Sequence, residues 1–374
     1  MKDGRLTQIN SGIGSKIVFY TYICKNQNLF MKKILVMAAA LFASATMGAQ
    51  ENALATLRIE ARLDYSQEYI RDTKINGNSG FTGKYLNIRM DGTIADGLTY
   101  SYRQRLNKPN KTASFFDATD WITLTYTKNN WSLSTGKQVV GIGGYEYDGA
   151  PIDLYFCSEY WNNIPCYKIG VSGAYTTDDM KDKILVQFCE SPFRGNITAN
   201  PVNKEMFAYN LMWYGNHGAY SSIWSTNMIE YMPGKFINYI ALGNRIDAGN
   251  FTVLLDIMNR AVSAKNFFGK DMSVMGEVQW HPCDRLNIFA KITHDFNSAD
   301  ELGDWCVTPG TKITRIGGGV EYYPLKNTRN LRFHLFGCWT DGINGSETGA
   351  LQPNQTIFDA GITWKMNMLN IKRK

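Results

Sequence analysis

Charged residues recur at alternate positions along several stretches of this sequence, and their spacing is its clearest chemical signal. In ATLRIEARLDYSQ (55–67), apolar residues alternate with arginine and acidic residues. Because successive side chains of a β-strand point to opposite faces, one face of such a strand is apolar and the other is charged. Cations aligned along one surface attract anions. Nine basic residues are predicted on such charged faces: Arg58, Arg62, Arg89, Arg103, Arg105, Lys137, Lys168, Lys291 and Arg332.

Acidic residues accompany these cations. Six are predicted on the same faces: Glu60, Asp64, Asp91, Asp256, Glu277 and Asp295. The segment 141–165 contains four more and no Lys or Arg: Glu146, Asp148, Asp153 and Glu159. An acidic segment folded inward against a basic wall would create a transverse field that favours small polar solutes. Alternatively, each cation pairs with a neighbouring carboxylate and leaves the surface nearly neutral.

No catalytic residues are predicted. An enzyme would need a nucleophile, a base and a group that orients the base. The four histidines are scattered along the chain: His217, His281, His294 and His334. The sequence does not exclude a Ser–His pair brought together by neighbouring strands. Two alternative functions therefore remain, an outer-membrane enzyme of lipase type and a surface adhesin that uses long loops.

The cysteines point to no metal site. The six that follow residue 50 include no Cys-x-x-Cys pair and match no zinc-binding spacing, and we predict neither a metal nor a cofactor. Cys157 and Cys166 lie in one predicted loop. They either form a disulfide, which an oxidising compartment permits, or remain free as small apolar side chains.

The elements that must position the charged residues are strands. The alternating pattern recurs in sixteen segments, each about the length that a tilted strand needs to cross a membrane. Connections alternate between short turns rich in Gly and Asn and longer loops. The sequence therefore predicts an all-β transmembrane antiparallel β-barrel of about 16 strands, with short periplasmic turns, long extracellular loops and segment 141–165 folded inward. The predicted strands are 55–67, 83–94, 98–106, 118–127, 131–140, 166–176, 183–190, 206–215, 218–227, 235–245, 250–259, 271–281, 285–296, 312–323, 330–340 and 355–366.

The amino-terminal region has the pattern of an export signal. In MKKILVMAAALFASATMGA (31–49), two lysines precede an apolar run and a stretch of small residues, as in a Sec signal peptide. Residues 1–30 are interpreted as an upstream extension of the gene product and 50–374 as a single barrel domain. Six of the 39 basic residues and one of the 33 acidic residues lie in 1–49, so the formal charge of +6 falls to about +1. Net charge therefore gives no support to nucleic-acid binding.

One region resembles a known family. WSLSTGKQVVGIGGYEYDGAPIDLYF (131–156), leading into YKIGVSGAY (167–175), resembles the phosphate-selective porin O and P family in the form found in Bacteroidetes outer membranes. The resemblance implies a homotrimeric, passive, 16-stranded porin in the bacterial outer membrane, with lipid and small hydrophilic solutes or anions as partners. It also implies an anion preference. The acidic composition of 141–165 argues against strong phosphate selectivity, and a basic tail after Trp364 departs from the usual end of such a barrel.

Overall fold

The computed structural model describes residues 53–107, 116–345 and 354–372. The predicted upstream extension and signal peptide lie outside these residues. Sixteen long strands form one antiparallel sheet, and the last strand pairs with the first, so the sheet closes into a barrel. The strands are β1 (Ala53–Ile70), β2 (Gly80–Ala95), β3 (Leu98–Arg105), β4 (Thr119–Lys128), β5 (Trp131–Val139), β6 (Tyr167–Thr176), β7 (Asp182–Glu190), β8 (Phe207–His217), β9 (Tyr220–Met232), β10 (Lys235–Ala248), β11 (Phe251–Ala261), β12 (Asp271–Cys283), β13 (Leu286–Asn297), β14 (Lys312–Tyr322), β15 (Leu331–Ile343) and β16 (Gln355–Lys372).

The predicted fold class is confirmed, and each of the sixteen predicted segments overlaps one strand. The main difference lies at the seam of the barrel. Strand β16 runs to Lys372, beyond the predicted end at residue 366, because the basic tail continues to pair with the beginning of β1. A two-residue strand, Thr73–Lys74, and a short 3₁₀ helix, Asn76–Asn78, lie in the loop between β1 and β2.

The connections alternate in length, with two exceptions. At one end of the barrel most turns are short, as at 96–97 between β2 and β3 and at 249–250 between β10 and β11. At the other end most loops are long, as at 191–206 and 298–311. The exceptions are the tight turn 233–234 between β9 and β10 and the eight-residue connection 323–330 between β14 and β15.

The two faces of the barrel differ in chemistry. Apolar residues in the middle of strands, such as Leu133, Val186 and Leu335, are exposed on the outside. Polar residues at the alternate positions, such as Asn227, Thr293 and Asp295, are buried inside. A wall with this pattern suits lipid on the outside and a polar lumen. Among the described residues, the helices are too short and too polar to cross a membrane.

Candidate permeation path and its inward loop

Residues 141–165 of the connection between β5 and β6 fold into the barrel. We call this segment the inward loop. It contains two short helices, α1 (Tyr145–Asp148) and α2 (Glu159–Asn163), and a 3₁₀ turn, Pro151–Asp153. Its backbone and side chains bond to strands on the far side of the lumen, β11 and β13 among them.

The two ends of the inward loop pack on an apolar patch of the barrel interior. Ile142, Tyr147 and Tyr160 join a buried cluster that includes Ile229 of β9 and Tyr239 of β10. Patches of this kind are unusual on the lumen side of a wide barrel, where polar residues normally face water. The inward loop covers this apolar patch on strands β7–β11, and the apolar contacts hold the loop in place.

Glycines allow the loop backbone to touch the wall. A Cβ added at Gly243 of β10 would lie 2.7 Å from the Cα of Gly144, and one at Gly143 would lie 2.6 Å from the carbonyl oxygen of Ile223. Such distances are shorter than non-bonded carbon contacts permit. The backbone amide of Gly144 uses this approach to donate to the same carbonyl oxygen at 3.0 Å.

Wall carboxylates bind the backbone amides of the two loop helices. Asp256 of β11 accepts hydrogen bonds from the amides of Tyr145 (3.0 Å) and Glu146 (2.7 Å). Asp295 of β13 accepts one from the amide of Glu159 at 2.8 Å. These bonds satisfy amides that have no partner within a short helix. Asp256 and Asp295 thus position the loop.

Three of the four predicted acidic residues of the loop form ion pairs with wall cations. Glu146 pairs with Lys291 at 2.8 Å, and Glu159 pairs with Arg315 at 2.8 Å. Asp153 pairs with Arg332 at 3.1 Å and with Lys365 at 2.9 Å. The fourth, Asp148, is exposed.

The electrostatic environment of Asp153 follows from these pairs. Burial alone would raise the pKa of this carboxyl, but the adjacent Lys365 and Arg332 cations together outweigh burial, so the pKa of Asp153 lies below its ordinary value. Asp153 is therefore charged at neutral pH, and its link to β15 and β16 persists there.

Tyr155 anchors the middle of the loop against β13–β15. Its hydroxyl donates to Glu321 at 2.6 Å, and its ring stacks on Phe289 with centroids 5.2 Å apart. The Arg62 guanidinium lies over the same ring at 4.8 Å and donates to the carbonyl oxygen of Leu154 at 2.6 Å.

The two cysteines of this region are both free in the structure. Cys157 lies within the inward loop and is buried, and Cys166 directly follows the loop. Burial raises the pKa of the Cys166 thiol to about 11. Of the two alternatives, free small side chains rather than a disulfide correspond to the structure.

Most predicted wall cations have a carboxylate partner. Lys291 and Arg332 hold the inward loop. Arg58 donates instead to the amide oxygen of Asn367, at 3.0 Å. The remaining pairs are Arg62–Asp64 at 2.7 Å, Arg89–Asp91 at 2.7 Å, Arg103–Asp120 at 2.9 Å, Arg105–Asp120 at 3.2 Å and Lys168–Glu190 at 3.6 Å.

Lys137 departs from the expectation of a lumen position. The register pairs it with Ile122 and Ile169, both exposed on the outer face of the barrel. Its ammonium donates to the carbonyl oxygen of Phe116 at 2.9 Å. Strand alternation thus assigns Lys137 to the outer face, against the loop between β3 and β4, because it lies four residues from Leu133 on the same face.

A cluster of three arginines lies on β2 and β3, about half-way round the closed sheet from β10 and β11, which the inward loop also contacts. Arg89, Arg103 and Arg105 are balanced by two carboxylates, Asp91 and Asp120. The side chains of Arg89 and Arg105 keep 19% and 22% of their surface exposed. This cluster, which we call the arginine wall, carries one positive charge in excess and faces the lumen.

Aromatic rings support the arginine wall. The Arg103 guanidinium lies 3.9 Å from the ring centre of Trp121, and it donates to the Tyr167 hydroxyl at 2.6 Å. Arg105 lies over Tyr85 at 5.4 Å. Cation–π contacts and short hydrogen bonds fix these guanidinium groups in place.

The sequence interpretation missed several of these residues. Arg315 shares its face of β14 with Ile313, so alternation did not reveal it as a lumen cation. Asp120 lies at an irregularity in the pairing of β3 with β4, which turns it toward Arg103. Lys365 lies on a strand whose end was predicted too early.

The histidines do not assemble a serine-hydrolase triad in the described part of the chain. The Ser66 hydroxyl donates to Asp359 at 2.5 Å, while His334 lies beside Asp64 and Asp359. His294 contacts the hydroxyl of Thr314 at 2.8 Å.

Comparison with solved structures identifies the architecture. The anion-selective porin from Comamonas acidovorans superposes with a TM-score of 0.55 at 12% identity, over 83% of this chain and 99% of that one. The outer-membrane protein OmpT of Vibrio cholerae, in its trimer form, gives 0.54 at 13% identity over 83% and 99%. The outer-membrane channel DcaP of Acinetobacter baumannii gives 0.57 at 11% identity over 83% and 97%. The chain has a porin-like fold.

At these identities the likeness concerns the fold alone. No family model matches the sequence. No curated protein matches it either. The porin-like barrel of this chain is therefore interpreted from its own residues, above all the inward loop and the arginine wall.

Proposed function

We propose that this chain is a porin of the bacterial outer membrane, through which small hydrophilic solutes and ions diffuse passively. The observation that carries the proposal is the inward loop, which is bonded to the wall inside the barrel, together with the partly exposed arginine wall that also faces the lumen. Barrels of about sixteen strands enclose an aqueous channel. A loop fixed inside such a barrel narrows the channel.

The apolar outer face, the predicted Sec signal at 31–49 and the likeness to outer-membrane proteins together support an outer-membrane location. Lipid would contact the outer face. A homotrimer is proposed from the sequence resemblance, and the trimer form of OmpT supports it. No catalytic activity is proposed.

The charge distribution supports at most a mild anion preference. Most wall cations are paired, as the alternative of a nearly neutral lumen required, and the arginine wall keeps a single excess positive charge. The inward loop carries no basic residue. Membership of the phosphate-selective porin O and P family stays a proposal that rests on 131–156 and 167–175.

Single-channel recording in a planar bilayer tests the proposal. The purified barrel should give stepwise conductance, and a KCl gradient should give a small reversal potential of the sign that marks anion preference. A correctly folded barrel without conductance would refute the porin function. Lipase and cell-adhesion assays would then follow.

Replacing Arg103 and Arg105 by Ala should reverse the weak ion preference. The double variant leaves Asp120 without its two guanidinium partners, so the net charge of the arginine wall and its carboxylates changes from +1 to −1. The reversal potential under a KCl gradient should move toward cation preference. A control is Lys265→Ala, which removes the cation of an exposed pair with Asp300. An unchanged potential in the double variant would contradict the role of the arginine wall.

Introducing a charge on the outer face should impair assembly. Val186 lies in the middle of β7 and is exposed, so Val186→Arg would place a guanidinium in hydrocarbon, at a cost of about 2–4 kcal/mol near the midplane. The amount of heat-modifiable barrel in outer-membrane fractions should fall. Ala219→Arg, in the turn between β8 and β9, should assemble normally. Equal assembly of both variants would argue against a membrane-facing surface at Val186.

A further inference from the structure

Three side chains with metal-binding atoms meet where the barrel closes. Asp64 lies on β1, His334 on β15 and Asp359 on β16, and their ligand atoms all lie within 4.8 Å of one another. The side chains of Asp64 and His334 are 0% exposed and that of Asp359 is 1% exposed. We call these three residues the seam cluster.

Gly361 creates the space for the seam cluster. The register pairs this glycine with Asp64 on one side and with His334 on the other. A Cβ at Gly361 would lie 2.4 Å from Asp64 Oδ1 and 2.6 Å from His334 Cε1. The carboxylate and the imidazole can therefore approach each other across β16 only because the residue between them has no side chain. Asp359, two residues earlier on the same face, completes the cluster.

The distances within the seam cluster are longer than those of strong, charge-assisted hydrogen bonds. His334 Nε2 lies 3.2 Å from Asp64 Oδ1 and 3.4 Å from Asp359 Oδ1. Hydrogen bonds between a charged imidazole and a carboxylate are about 2.7–2.9 Å long. Among the described residues, both ring nitrogens of His334 and Oδ1 of Asp359 have no hydrogen-bond partner. His334 Nε2 and Asp359 Oδ1 thus lie close together in the cluster, both buried and without a hydrogen-bond partner.

The same distances fit ligands around one metal ion. Nitrogen and oxygen ligands that lie about 2.0–2.1 Å from a tetrahedral Zn²⁺ are separated by about 3.3 Å from each other. Imidazole and carboxylate are both common zinc ligands. The two measured separations lie on either side of this value.

The charges also favour a cation at this place, either a protonated His334 or a bound metal ion. Asp64 is paired with Arg62 at 2.7 Å, and Arg332, two residues before His334, is paired with Asp153 and Glu321. Asp359 has no Lys or Arg partner in the part of the chain that the structure describes. A buried carboxylate without a compensating charge is strongly unfavourable.

We propose that Asp64, His334 and Asp359 bind a divalent transition-metal ion of the zinc type. The ion joins β1, β15 and β16 and so strengthens the closure of the barrel. The Arg62 guanidinium and the Ser66 hydroxyl, which bind the carboxylates of Asp64 and Asp359, orient the two carboxylate ligands. This site is independent of the transport function.

The test uses the folded full-length barrel in detergent. Its metal content is measured first by elemental mass spectrometry, then the protein is treated with a chelator and titrated with Co²⁺, whose visible absorption reports four-coordinate binding. We expect one equivalent of bound metal, displaced by Zn²⁺. His334→Gln should weaken Co²⁺ binding by more than about 100-fold, beyond the range for residues that only orient a ligand. His217→Gln, which removes the exposed partner of Asp182, should bind as the original protein does.

Heat modifiability shows whether each variant is folded. If His334→Gln does not fold, Asp359→Asn provides the same comparison. Absence of both native metal and Co²⁺ binding in the folded barrel would overturn the proposal. Co²⁺ binding that is equally tight in the folded cluster variants would overturn it as well, because the metal would then bind elsewhere.

Discussion

Replacing Lys291 by methionine should release the inward loop and raise the conductance of the channel. Lys291 pairs with Glu146 at 2.8 Å and donates to the carbonyl oxygen of Phe156 at 2.9 Å, and both charged side chains are buried. Removing one partner of a buried ion pair costs about 3–5 kcal/mol, because the other charge stays without compensation. A change of this size shifts the ratio of seated to released loop by more than about 100-fold.

Single-channel recording measures this effect as larger and more variable conductance steps. Lys291→Met combined with Glu146→Gln provides the sharpest control. The glutamine is neutral and its amide can keep a contact with Ser158, so the double variant should return toward the original conductance. Lys181→Met breaks an exposed pair with Asp179 in the turn before β7 and should change nothing. An unaltered conductance for Lys291→Met would show that the loop does not depend on this ion pair.

Arg260→Met should strongly destabilise the barrel. Arg260 of β11 is 0% exposed, pairs with Asp271 at 2.6 Å and donates to Ser273 at 3.0 Å. Its guanidinium also lies 5.2 Å from the ring centre of Tyr160 in the inward loop. The substitution leaves the Asp271 carboxylate buried and unpaired, at a cost of about 3–5 kcal/mol in the free energy of unfolding.

Urea unfolding in detergent, followed by tryptophan fluorescence, measures the loss. Arg260→Met with Asp271→Asn removes both charges and should recover part of the stability. Lys265→Met removes the cation of an exposed pair with Asp300, and solvent screening should make its effect negligible. If the single variant at Arg260 unfolds at the same urea concentration as the original protein, the buried pair does not stabilise the barrel.

The two substitutions probe one feature of the molecule, the charge pairing inside the barrel. The sequence left open whether the acidic loop and the basic wall oppose each other across a channel or neutralise each other. The structure places Glu146, Asp153 and Glu159 in direct contact with cations. The loop carboxylates therefore hold the loop in place.

The fold could be predicted from the sequence because the features that specify it, alternation within strands and the lengths of the connections, are local. Alternation within a strand depends only on the period of two that every strand has, and the length of each connection can be counted directly. Sixteen strands, their approximate ends and the inward location of most charged residues follow from that period. The end of β16 was misjudged because pairing partners decide where a strand ends, and Lys137 was assigned to the wrong face of β5 although alternation places it on the outer face.

The partners of the charged residues were decided only by the tertiary structure. Glu146 meets Lys291, and Asp64 meets His334 and Asp359, because barrel closure and the path of the inward loop bring distant segments together. Pairwise distances of this kind depend on register and on the space between neighbours, such as the space that Gly361 leaves open. The alternation of one strand carries no information about register or about the space between neighbours. The sequence alone therefore determined the barrel wall and the faces of its strands, and only the tertiary structure determined which charged residues contact each other.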